Sequence, residues 1–198
     1  MAPAKLYQLS GLAAILAGIS FITDTLLDLF FPGNGLGIGI FVSLLGLHGL
    51  TGLFLFQREK GGMLNLVGYF LNFTGLAALI GIAFANNFIL SQLQTAVIQE
   101  LFSGSLLIIF ISIGITYLMG ALLFSTALWR SHQFSRTAIA GYALGSIPVA
   151  MPNVFPIIVT SIGGILVGLS IGWLGWQLIQ LQKALYPTMQ QNNVKYAE

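Results

Sequence analysis

"LLGLHGLTGLFLFQREKGG", residues 44–62, carries an apolar run with a single histidine into a charged stop at Arg58, Glu59 and Lys60, and then into two glycines. The apolar pattern resumes at once with "MLNLVGYFLNF", residues 63–73. Two such runs joined by charge and glycine are the pattern of paired membrane helices with a tight turn in water. The rest of the chain can be read outward from this hairpin.

Of 198 residues, 57% are hydrophobic and 6% are charged, against roughly 25% charged in soluble domains. The apolar runs are each near the ~20 residues that cross a bilayer. The expectation is one all-α polytopic membrane domain over residues 1–198. It has spans at 6–31, 36–56, 63–84, 106–129, 137–151 and 154–178, paired as three helical hairpins. The runs lack the period-2 alternation of barrel strands. The fifth span is short, carries Pro148 and is followed by Pro152 and Pro156, so it kinks or stops early. The first run continues to Phe31 without a small-residue cleavage site, and reads as a retained helix and not a signal peptide.

The seven basic residues are spread singly and form no phosphate-binding patch, which argues against a nucleic-acid partner. Their spacing sets an orientation instead. Lys5 precedes the first span, Arg58 and Lys60 follow the second, Arg130 and Arg136 follow the fourth, and Lys183 and Lys195 follow the sixth. The intervening connections contain no basic residue. The positive-inside rule then puts both termini in the cytoplasm, in the inner membrane or another energy-transducing membrane. Trp129, Trp173 and Trp176 fall near the inner ends, where indoles favour the interface.

Three carboxylates fall on the outer side: Asp24, Asp28 and Glu100. Asp24 lies about 27 Å along its helix from Leu6, at the boundary of a ~30 Å core. With Asp28 at i+4 it reads first as an interfacial polar group, and second as a cation or proton site. In the long outer connection Ile89, Leu93, Val97 and Leu101 recur at helical spacing, which predicts an amphipathic interfacial helix over 88–102. It reads as a surface connector, or as a cap over an opening between the helices.

Upward spans begin alike, in "QLSGLA" (8–13), "NLVGYF" (65–70) and "AIAGYA" (138–143), with Gly11, Gly68 and Gly141 at matching places. Downward spans end alike in "FQREK", "WRSH" and "LQK". Three parallel hairpins of this kind, over the whole chain, resemble the small six-helix bacterial membrane proteins of the HdeD acid-resistance kind. The resemblance implies a bacterial inner-membrane protein and transfers no functional residue. The long outer connection and the polar third span depart from that pattern.

Small residues four apart let helices approach closely in lipid: Gly141 and Gly145 on the fifth span, and Gly164, Gly168 and Gly172 on the sixth. They read as packing within the chain, or as a subunit interface. On the third span Asn65, Tyr69 and Asn72 form a polar stripe that must face protein or a cavity, with Ser112 and Thr116 a milder version on the fourth. His48 lies at the depth of Tyr69 to Asn72, so a hydrogen bond across the hairpin is the leading expectation. The alternative is a cofactor-binding His48, axial to a chlorophyll-like pigment or haem.

Cysteine is absent, which excludes disulfides, thiolate chemistry and Cys-ligated metals. Without a nucleophile–base pair or metal cluster the sequence points away from an enzyme, and it requires no cofactor. Six packed helices with small loops suit an accessory, scaffold or stress-related subunit, with the lipid bilayer and other membrane subunits or a second copy as partners. A small transporter or channel is the alternative.

Overall fold

The computed structural model describes residues 3–31, 37–152 and 154–195. In order come α1 (Pro3–Phe30), α2 (Ile38–Phe84), a π-helical turn (Ala85–Ile89), a 3-10 turn (Leu90–Gln92), α3 (Thr95–Phe102), α4 (Ser105–Ser131), α5 (Arg136–Ala150) and α6 (Ile157–Lys195). No strand occurs among the described residues. Among the described residues four stretches are long and apolar enough to cross a membrane: Lys5–Phe30, Ile38–Gln92, Leu106–Ser131 and Ile157–Ala184. The connection "PGNG" (32–35), the start of the second expected span at Leu36, and Asn153 lie outside the described residues.

The second of these stretches folds back on itself. Gly62 adopts φ 55°, ψ −155°, a conformation closed to side chains with a Cβ, and α2 reverses there. Below the turn Gln57 meets Asn65, Phe54 stacks on Tyr69 at 4.2 Å, Leu76 faces Gly46, and Ala83 faces Gly39. α2 is therefore two antiparallel arms, 38–61 and 63–84. The first arm runs past Phe56 because nothing breaks the helix before the glycines. Arg58, Glu59 and Lys60 consequently sit exposed on its last helical turn instead of in a loop.

Close backbone contacts then fix the neighbours. α1 lies antiparallel to the first arm, with Ala14 on Gly49 and Ser10 on Gly52. The second arm packs on α4 through Gly68 against Phe124, Gly75 against Tyr117, and Gly120 against Asn72. α5 joins α4 where Gly114 meets Ala150, and joins α6 where Gly145 meets Gly163. α6 returns to α1, with Gly168 and Gly172 on Gly18, and Gly175 on Gly11. The six rods form a closed ring. Gly141, Gly145, Gly164 and Gly168 are all used inside the chain, against Ser170, Gly163, Thr25 and Gly18. Close approach supplies the dispersion contacts that lipid does not force.

This antiparallel order gathers Lys5, Arg58, Lys60, Arg130, Arg136 and Lys183 at one end, all exposed. There Arg136 lies 5.4 Å from the Trp129 ring, and His132 in the left-handed region (φ 53°) ends α4. A packed core of Leu53, Phe124, Leu128, Phe134, Ile139 and Leu178 fills that half of the bundle. Polarity is inverted relative to a soluble protein. Gln57, Asn65 and Asn72 are buried, while Phe70, Ile108, Leu144 and Leu169 face outward.

Two further expected elements change their bounds. The interfacial helix over 88–102 is interrupted, because Leu93 and Gln94 are extended, leaving α3 as its helical part. The sixth span begins at Ile157, where the Pro156 carbonyl accepts from Val159 and Thr160, and runs on past Leu178 to Lys195. α5 is as short as expected and holds Pro148 inside its last turn.

Candidate functional site

At the end opposite the basic residues the interior of the ring is not filled. A cavity of about 1350 Å³ lies between α1, both arms of α2, α4, α5 and α6. Small residues line it, Ala17 on α1 and Gly39, Gly46 and Gly49 on the first arm, and at Gly46 the space is that of a missing side chain, since a Cβ there would meet nothing closer than 3.9 Å. From Gly39 to Leu53 the wall runs about 20 Å at ~1.5 Å per residue. Phe21, Val42, Leu76, Val149 and Ile171 make the apolar sides, and Leu53, Phe124 and Leu174 close the floor. Asp24, Asp28, Asn86, Asn87, Ser91 and Gln92 ring the mouth.

α3 lies over that mouth. Ile98 and Phe102 line the cavity, whereas Leu93, Val97 and Leu101 are exposed on the other side. Of the two readings of the outer connection, surface connector or cap, the placement of Ile98 and Phe102 at the mouth is compatible with both. The π-helical turn below it brings Phe88 against Gly37 and Phe84; such turns recur at functional sites.

The polar stripe of the second arm divides among three partners. Asn65, 1% exposed, accepts from Gln57 Nε2 near the Gly62 turn. Tyr69 meets the Thr51 hydroxyl at 3.2 Å. Asn72, fully buried, donates from Nδ2 to the Tyr142 hydroxyl at 2.7 Å, and its Oδ1 has no partner among the described residues. A second bridge runs alongside. Ser146 donates to the Tyr142 carbonyl at 2.7 Å, so its oxygen is left to accept from Tyr117 at 3.2 Å. Tyr117 and Tyr142 both line the cavity, as does Ser43, which is 6% exposed and makes no hydrogen bond among the described residues.

Of the outer carboxylates, Asp24 and Asp28 look into the mouth, and the Asp24 Oδ2 lies against Gly39 in the first turn of α2. The positive end of that helix favours an anion there. Glu100 is exposed on α3 and does not line the cavity. Ser112 and Thr116 do not form a polar interior. Their hydroxyls bond back to Ile108 and Ser112 carbonyls at 2.7 and 2.8 Å, so nothing draws them inward, and they edge a shallow groove beside Thr74.

The expected contact of His48 with Tyr69 or Asn72 does not form. His48 is exposed, on an outward stripe with Phe41 and Leu44, and its Nδ1 lies 2.8 Å from the Leu44 carbonyl. Its depth is right within a turn, but its azimuth is wrong, and Thr51 takes the place facing Tyr69. Nor do the neighbouring glycines leave room for a flat ring, since Gly49 and Gly52 are filled by Ala14 and Ser10. A ring on His48 would lie on the outside of the bundle. Among the described residues no three His, Asp or Glu side chains converge to hold a metal ion.

No protein-family model, curated protein or solved structure matches this chain. The site therefore rests on its own geometry. Sequence reading missed the cavity's phenols: Tyr117 and Tyr142 carried the same signal as Asn72, a polar group in mid-span, and were not weighed with it. Ser43 gave no signal, since a lone serine satisfies itself on its own helix in most membrane settings.

Proposed function

We propose that this protein is a six-crossing membrane protein that takes a small amphipathic molecule into its cavity from the outer side, as a carrier or receptor and not as an enzyme. The cavity carries this reading: it is larger than the roughly 300–1,000 Å³ of ordinary small-molecule pockets, mostly apolar, and sealed below by packed core. The exposed basic end supports a cytoplasmic N- and C-terminus by the positive-inside rule, and the mouth then opens outward. The three-hairpin resemblance adds the bacterial inner membrane as its location.

Two experiments test this. The chain has no cysteine, so Glu59→Cys and Glu100→Cys each give a single thiol; an impermeant reagent should reach Glu100→Cys from outside and Glu59→Cys from the cytoplasm only. An environment-sensitive apolar dye should bind the purified protein saturably, and Gly46→Phe should abolish binding by setting a ring across the middle of the cavity. Binding that survives Gly46→Phe overturns the reading.

A second reading, an accessory subunit, draws on His48. An imidazole on a lipid-facing stripe is costly unless something covers it, and a partner helix or the metal of a flat ring would do so. Isolation from native membrane with a stable partner, lost in His48→Leu, would favour it.

A further inference from the structure

The contents of the cavity wall narrow what it holds. Asp24 and Asp28, one turn apart on α1, both look into its mouth. The groups facing them are neutral: Asn86, Asn87 and Gln92. Every described basic residue belongs to the opposite end of the bundle, and no ion pair involving either carboxylate is made among the described residues. Gly39 satisfies part of Asp24 only, and Asp28 is left to the mouth. One turn below Gly39 on the first arm, Ser43, a residue 6% exposed, lines the same wall, and its hydroxyl makes no hydrogen bond among the described residues. Below Ser43 the sides are aliphatic and aromatic down to Leu53, Phe124 and Leu174, and the two phenols among them, Tyr117 and Tyr142, have their hydroxyls engaged with Ser146 and Asn72.

Acceptors at the top and hydrocarbon beneath define a complementary guest. Resting on the reading that the cavity takes an amphipathic molecule, we infer that the guest is an alkyl-chain amine bound as its ammonium, with the charge between Asp24 and Asp28 and the chain directed toward Leu53. A primary ammonium has three donors, which the two carboxylates and the Ser43 oxygen accept. A fatty acid of the same length would set like charges together at the mouth, and a fatty alcohol would forgo the ion pair.

The test uses the full chain in phosphatidylcholine nanodiscs, with the Gly46→Phe protein as the reference for partition into lipid. Displacement of a bound dye is read for dodecylamine, dodecanol and laurate. Dodecylamine should displace at a concentration lower than dodecanol by about tenfold, the value of one charge-assisted hydrogen bond, and laurate should be weakest. Asp24→Asn with Asp28→Asn should erase the preference and leave dodecanol unchanged, since asparagine keeps the size of each side chain and an acceptor oxygen while removing the charge. Ser43→Ala should weaken the amine and spare the alcohol. Equal displacement by all three compounds, or an amine preference that survives the double variant, overturns the inference while leaving the cavity reading intact. Dye binding unaffected by Gly46→Phe overturns the cavity reading itself. Phosphatidylethanolamine in the nanodisc separates two sources of the same chemistry. Weaker dodecylamine displacement there assigns the site to a membrane aminolipid, and unchanged displacement assigns it to a free amine.

Discussion

The side-chain amide of Asn72 donates to the hydroxyl of Tyr142 at 2.7 Å, tying the second arm of α2 to α5 across seventy residues of sequence. These two elements share no other hydrogen bond among the described residues. The bond therefore places α5, the shortest rod of the ring, against its neighbours beside the cavity.

Tyr142→Phe should cost about 1–2 kcal/mol, more than the ~0.6 kcal/mol average of an interhelical bond in a membrane, because Asn72 would then be buried with neither end of its amide paired. Ser146→Ala removes the parallel bridge from Tyr117 and should cost nearer that average, since Tyr117 lines the cavity and can turn toward it. Unfolding titrations in mixed micelles would compare the two. A larger loss for Ser146→Ala would show that α5 is held by Tyr117 instead.

Glycines of similar sequence context should respond oppositely to alanine. At Gly120 a Cβ would collide with the backbone of Asn72, so Gly120→Ala must push α4 from the second arm, at about 1–3 kcal/mol. At Gly81 and Gly172 a Cβ meets nothing within 4 Å. There alanine should be neutral or stabilise by roughly 0.5–1 kcal/mol through helix propensity. Melting temperatures of the three single variants decide it.

That contrast shows what the sequence could and could not reveal. The hairpin around Arg58 to Gly62 was legible because charge must reach water and because two glycines permit the reversal. The face of each helix was not. A span suited to lipid is apolar on every side, so periodicity does not separate the outward stripe of Phe41, Leu44 and His48 from the cavity wall of Gly39, Ser43 and Gly46. The rise per residue set the depth of His48 but not its direction. Nothing local marked Gly46, whose role is the space it leaves. Asn72 was legible as a residue needing a partner, but not which, because nothing local links it to Tyr142.

Gly62 carries the reversal alone. Its φ of 55° with ψ of −155° lies in a region essentially reserved for glycine, so Gly62→Ala should cost about 1–3 kcal/mol of backbone strain. Gly61 makes a different demand, since a Cβ there would strike the Asn65 side chain. Gly61→Ala should therefore be relieved by Asn65→Gly, which removes the Cβ that would be struck, and Gly62→Ala should not. The double-variant cycle separates crowding from strain.

His48 is where the carrier and the accessory readings part. Its side chain touches neither the cavity nor another helix by hydrogen bond, and its Nδ1 is occupied by its own helix at Leu44. In the purified protein alone, His48→Leu should leave stability within about 0.5 kcal/mol, as for other outward positions. It should also leave dye and dodecylamine binding unchanged, because Gly46 and Ser43, not His48, face the cavity. Loss of amphiphile binding in this variant would place the imidazole on the route into the cavity, and would contradict the outward stripe. In protein taken from native membrane the same variant reads the other function. A visible absorption band that disappears with His48→Leu identifies a metallo-ring held by Nε2 on the outer face. A colourless protein that loses a copurifying subunit identifies a helix partner instead. Unchanged binding together with an unchanged, partner-free preparation leaves the cavity as the working part of the molecule.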